Sequence, residues 1–187
     1  MVNGKGYRDS SRSKTMDFEG RLSAKIEQWN FAVGGYTGKR GQSVDNGTNL
    51  VATPHNASRF NALAAFVGDR TKLGVEYFTA TDWAASAITD TTVGHTKGDK
   101  TDGTSVYGSY RVTPLYMVFA RFDDVKPSKT LAPQNKNNYY NFGVQTSPLK
   151  GITLSAVVKH DKMDSYVGSA LTRTEFTEVG VFTEIRY

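Results

Sequence analysis

The 187-residue chain contains no cysteine. That excludes a disulfide framework and any metal centre ligated by thiolates. A long apolar run is also missing. No stretch approaches the ~18 uncharged apolar residues that a membrane-spanning helix needs, and hydrophobic residues make up only 38% of the chain. These two facts exclude a helical membrane protein. They leave a membrane β-barrel open, because a barrel strand needs apolar residues only at alternate positions. Helical periodicity is nearly absent. The opening residues, Met1-Val-Asn-Gly-Lys-Gly-Tyr-Arg-Asp-Ser, hold no apolar segment of the kind a secretory signal carries. A basic run is absent too. The 23 Lys and Arg are interspersed with 18 Asp and Glu, so the net charge of +5 does not mark a nucleic-acid binder.

What the chain does contain is aromatic side chains, at 12% with 10 Tyr and 10 Phe, together with 18 Gly. So many rings argue against disorder. They fall in segments where apolar and polar residues alternate, the period of a strand whose successive side chains leave opposite faces. Nine such segments are expected, near 14–26, 29–38, 58–67, 72–81, 104–112, 115–123, 138–146, 152–161 and 173–187. The first sets Phe18, Leu22, Ala24 and Ile26 against Asp17, Glu19, Arg21 and Lys25. The last sets Val179, Val181, Thr183, Ile185 and Tyr187 against Glu178, Gly180, Phe182, Glu184 and Arg186. Each is close to the ~9–11 residues that cross a bilayer on a tilt. Residues 1–13 show no alternation and read as a loop or disordered N-terminal segment, leaving 14–187 as the folded domain.

The connections sort by length. Residues 27–28, 69–71, 113–114 and 147–151 form short turns, whereas 39–57, 83–103, 124–137 and 162–172 are longer and polar. Short turns at one end and long loops at the other are the arrangement of outer-membrane barrels, with the turns periplasmic; a soluble sandwich has no reason to sort them so. Trp29, Tyr116 and Tyr187 lie beside turns, and Phe60, Phe122 and Tyr140 lie towards loops, as two interfacial girdles would. An odd strand count places the two chain ends on opposite sides. Complete bacterial barrels have even counts, so the nine strands are expected to be part of a larger, even-stranded barrel.

The strand, Pro/Gly turn, strand and polar loop of Gly108-Ser-Tyr-Arg-Val-Thr-Pro-Leu-Tyr-Met-Val-Phe-Ala-Arg-Phe-Asp-Asp resemble the C-terminal half of Gram-negative porins. So do Asn138-Tyr-Tyr-Asn-Phe-Gly-Val-Gln-Thr-Ser-Pro-Leu-Lys-Gly and the strand that follows. The terminal aromatic of the last strand is similar to the assembly signal of such barrels. The resemblance implies an all-β, antiparallel up-and-down transmembrane barrel in a bacterial outer membrane, passing small hydrophilic solutes and ions passively. It also implies lipid and lipopolysaccharide around the wall, recognition by the barrel-assembly machinery, and a homotrimer. No enzyme activity, cofactor or metal is expected.

Alternation assigns Arg21, Lys25, Arg59, Arg111, Arg121, Lys159 and Arg186 to the inward face. It assigns Asp17, Glu19, Glu76, Asp123, Asp161, Glu178 and Glu184 to the same face. So many charges in a dry core carry a large desolvation cost, which a water-filled pore removes. A small barrel filled with a salt-bridge network is the competing reading of this face. Arg21, Arg121, Lys159 and Glu19 fall at mid-strand depth, where a constriction acts on ions. A hydrolase is the rival from another class, on His160-Asp161. Adjacent strand residues point to opposite faces, so this pair does not cooperate readily, and His55 and His95 have no partner spacing for a metal or a triad. A third reading is a non-conducting surface or adhesion barrel, acting through Asn46-Gly-Thr48 and Asp99 to Gly103. Asp99, Asp102, Asp123 and Asp124 offer cation ligands but read first as solvated loop charge.

Overall fold

A computed structural model describes residues 16–38, 56–83, 99–167 and 169–186. Their alternating segments pair into one antiparallel sheet of nine strands in sequence order. These are β1 (Phe18–Ile26), β2 (Trp29–Gly38), β3 (Ala57–Val67), β4 (Thr71–Thr81) and β5 (Lys100–Arg111), then β6 (Tyr116–Lys126), β7 (Lys136–Leu149), β8 (Ile152–Val167) and β9 (Ala170–Ile185). Every strand pairs with its sequence neighbour. Among the described residues β1 and β9 each have one partner strand, and the sheet does not close between them. With nine up-and-down strands β1 and β9 run in the same direction, so a direct contact between them would be parallel.

Apart from one bulge at the turn end of β7, the register carries each face across the sheet without a slip. Leu22 pairs with Val33, Val33 with Ala62, Ala62 with Tyr77 and Tyr77 with Thr104. Farther along, Val106 pairs with Phe122, Phe122 with Tyr140, and Val158 with Val179. A one-residue shift anywhere would have reversed the faces. The apolar face is the open one. Leu22, Val179 and Val181 are 76–78% exposed, while apart from Val157 the buried residues of the strands are small or polar, among them Ala32, Ala80 and Ser105. This inverts the pattern of a water-soluble sheet, whose apolar face is covered.

The turn end matches the sequence expectation closely. Glu27-Gln28 is a two-residue hairpin between the paired Ile26 and Trp29, with Glu27 at φ 51°. The expected turn over 147–151 shrinks to Lys150-Gly151, because β7 continues through a bulge between Thr146 and Leu149. Gly151 has φ 82°, and a Cβ there would collide with the Arg186 carbonyl oxygen. Gly151→Ala is therefore expected to cost about 1–2 kcal/mol from the left-handed backbone alone. A lowered guanidinium midpoint for lipid-folded protein is the readout, and an unchanged midpoint refutes the strain.

The loop end differs from expectation. Residues 162–172 are expected as a polar loop, but 162–167 and 170–172 are strand: β8 and β9 stay paired up to Val167 and Ala170. Likewise β6 runs to Lys126, β7 starts at Lys136, and β5 starts at Lys100. The first strand starts at Phe18, with Asp17 a single bridge before it. Beyond the apolar belt Lys162, Asp164, Arg173 and Glu175 take the outward positions, so the alternation is lost although the backbone ladder continues. Cross-strand charge pairs hold that extension: Arg173 bonds Asp164 at 2.7 and 3.1 Å, and Lys162 lies 3.9 Å from Glu175. At 16 residues each, β8 and β9 overshoot the ~9–11 residues of a crossing. The excess is roughly 17–23 Å of strand at ~3.3 Å per residue.

Candidate functional site

The charged face is built from the odd positions of β1, the even positions of β2 and their register partners. One row of it reads Tyr107, Arg121, Asn141, Lys159 and Glu178, each paired with the next across β5 to β9. The adjacent row reads Glu76, Ser105, Asp123, Tyr139 and Asp161. Glu19, Arg21 and Lys25 join them on β1, Arg59 on β3, and Arg111 at the turn end of β5. The expected wall residues within the described chain thus share one face. Asp17 alone is fully buried, and the Tyr36 hydroxyl donates to it at 2.7 Å.

These charges form local contacts rather than one continuous network. Arg121 Nε donates to both Asp123 oxygens at 2.8 and 3.0 Å, two residues along its own strand. Lys159 Nζ lies 3.3 Å from Glu178 Oε1 and 4.3 Å from the centre of the Phe182 ring. Arg186 pairs with Glu184 at 2.7 Å, and Arg59 lies 5.9 Å from the Trp83 ring centre. Glycines give this face a second feature. Phe78, Tyr107 and Phe119 lie directly opposite Gly103, Gly74 and Gly143, so close that a Cβ on any of these glycines would run into the ring.

The residues expected as girdles lie on the apolar face. Trp29 and Tyr116 stand beside turns, and Phe60, Phe122 and Tyr140 stand towards the loop end. Tyr187 lies outside the described residues. Trp29 gains two ring partners on this face, Phe31 stacked at 6.1 Å and Phe66 edge-on at 5.4 Å. Phe66 was missed among girdle candidates, although its parity in the third segment already marks it. His160 belongs to this face as well: it stacks on Tyr140 at 4.8 Å and its Nδ1 is 2.8 Å from Thr177 Oγ1. Asp161 faces the opposite side, so the two do not form a catalytic pair.

Above Phe122, Tyr140 and His160 the outward face turns ionic. Asp124 lies 3.3 Å from Lys136 and accepts from Asn138 at 3.1 Å, and the Asp164–Arg173 and Lys162–Glu175 pairs continue the band. The guanidinium of Arg173 holds the Asp164 carboxyl below its ordinary value by donating hydrogen bonds to it. Nearby, Lys129 pairs with Asp102. Asp99 is almost buried and its Oδ1 accepts from the backbone of Lys100 (2.8 Å), Thr130 (3.0 Å) and Leu131 (3.4 Å). The four aspartates considered as cation ligands thus do not converge. Among the described residues no group of three acidic or imidazole side chains is placed to hold a metal. His55, His95 and Asn46 lie outside them.

No protein-family model matches the chain, and no curated protein sequence matches it. Solved structures do. OmpT of Vibrio cholerae as expressed in the outer membrane superposes with a TM-score of 0.56 at 14% identity, over 91% of this chain and 55% of that one. In-vitro folded OmpT, described as an outer-membrane protein of Vibrio cholerae, gives 0.55 at 15% over 90% and 54%. The chain spans about half the length of these structures. Its fold is that of outer-membrane β-barrel proteins: nine up-and-down strands with an apolar, aromatic-edged face and a charged face opposite it.

Proposed function

We propose that the chain forms part of the wall of a water-filled channel in a bacterial outer membrane, through which small hydrophilic solutes and ions diffuse. The observation that carries this is the inverted sheet. Leu22, Val75, Val106, Phe142 and Val181 stand open on one face, and the ionised groups of the mid-strand rows share the other. Lipid satisfies the first face and water the second. A dry interior would require pairing throughout, yet Lys25, Arg111 and Glu76 have no ion-pair partner among the described residues. Lipopolysaccharide meets the ionic band above the girdle, and the last strand addresses the chain to the barrel-assembly machinery. A homotrimer is the assembly that the porin resemblance implies. The non-conducting adhesion barrel and the barrel hydrolase are the alternatives, and no arrangement of side chains among the described residues favours either.

Single cysteines test the assignment of faces. Cysteine in place of Arg121 or Lys159 is expected to react with a water-borne thiol reagent in lipid-reconstituted protein, and cysteine in place of Val118 or Val158 is expected to resist it. Reverse labelling overturns the register. Equal protection of all four overturns the aqueous lumen. Conductance across a planar bilayer then separates a channel from a closed surface barrel.

A further inference from the structure

The inward face carries a depression of about 360 Å³ over β5, β6 and β7, bounded by Tyr107, Ser109, Phe119, Arg121 and Asn141. Its size falls in the ~300–1,000 Å³ range of small-molecule sites. Two of its walls are rings held flat. Tyr107 lies over Gly74, and Phe119 lies over Gly143, whose added Cβ would stand 2.5 Å from Phe119 Cζ. A ring lying on a glycine turns its π face away from the wall. That face is electron-rich and attracts C–H groups carrying partial positive charge.

The polar groups beside the rings have capacity to spare. Asp123 takes the Nε–H of Arg121, which leaves the two terminal nitrogens of the planar fork as donors. The Asn141 amide nitrogen donates to the Tyr139 hydroxyl at 3.0 Å, which leaves its carbonyl oxygen as an acceptor. Ser109 adds a hydroxyl. Flat apolar faces with donors and an acceptor at their edges suit a molecule that has C–H faces and hydroxyls around its rim. A purely apolar solute would strand the polar groups, and a bare inorganic anion would leave the rings unused.

We propose that this depression is a binding subsite for a hydroxylated six-membered ring of the sugar class, a role that rests on the channel reading of this face. The ring stacks on Tyr107 and Phe119, and its hydroxyls bond Arg121 and Asn141. Phe78, laid over Gly103 closer to the loop end, extends the same flat surface towards the loop-end mouth.

The test uses the full chain in planar bilayers, with methyl glucoside as probe and the acyclic polyol sorbitol as control. Methyl glucoside is expected to lower the conductance saturably, whereas sorbitol lowers it only as far as it lowers bulk conductivity. Phe119→Ala is expected to raise the half-blocking concentration about tenfold, the scale of one lost ring contact, each variant being read against its own unblocked conductance. Gly74→Ala, which pushes Tyr107 off the wall while keeping the ring, is expected to do the same. Equal responses to the two solutes in an open channel, or variants that behave as the parent, overturn the subsite and show that the rings merely cover the glycines. A parent chain that never conducts overturns the channel reading instead. Calorimetric titration of methyl glucoside into detergent-folded chain then decides the subsite by itself. Saturable heat lost in Phe119→Ala supports the subsite, and absence of heat overturns it.

Discussion

Val144→Arg is expected to destabilise the lipid-folded protein by about 2–4 kcal/mol, the cost of a guanidinium on the lipid face near the bilayer midplane. Gln145→Arg, one residue along the same strand, is expected to cost little. Val144 is 47% exposed and lies in the apolar row between Val118 and Ala156, whereas Gln145 lies between Met117 and Ser155 on the charged face. In a water-soluble sheet an exposed Val→Arg change is worth within ~0.5 kcal/mol, so the contrast measures what the apolar face touches. Guanidinium unfolding in the presence of lipid vesicles provides the comparison. Equal costs at the two positions, or a near-zero cost at Val144, refute a lipid-facing surface.

Asp99→Ala is expected to loosen the loop end of the wall by about 2–3 kcal/mol, the scale of charge-assisted hydrogen bonds lost together with the desolvated donors they leave behind. One carboxylate oxygen there collects the backbone N–H groups of Lys100, Thr130 and Leu131. Thr101 Oγ1 donates to the Pro127 carbonyl at 2.7 Å, and Asn135 Oδ1 accepts from Tyr166 N at 2.8 Å. Residues 127–135 are thereby strapped to β5 on one side and β8 on the other. Amide exchange across 126–136 is expected to speed up in the variant, while exchange in the mid-strand rows of β6 and β7 stays near the parent rate. Uniform acceleration would mean that Asp99 supports the whole sheet rather than the strap.

Much of the wall was legible from residue order because lipid imposes a period-two code. Phe18 through Ile26 and Trp29 through Gly35 alternate wherever their outward side meets hydrocarbon, so strand number, face and turn end could all be read. Phe66 carries the same parity as Phe60 in the third segment. The long hairpin over 162–172 was not legible. Lys162, Asp164, Arg173 and Glu175 are polar on the outward side, where apolar residues would have marked a strand, so nothing local distinguishes strand from loop there.

Sequence by itself determined which side chains share a face, since parity along a strand is a local property that any register preserving the apolar belt must respect. Tertiary structure alone decided the partners. Arg121 reaches Asp123 on its own strand, Lys159 reaches Glu178 on the next, and Phe119 settles over Gly143. These depend on which residues the register sets side by side and how far each side chain reaches, and neither quantity is written in the order of residues along one strand.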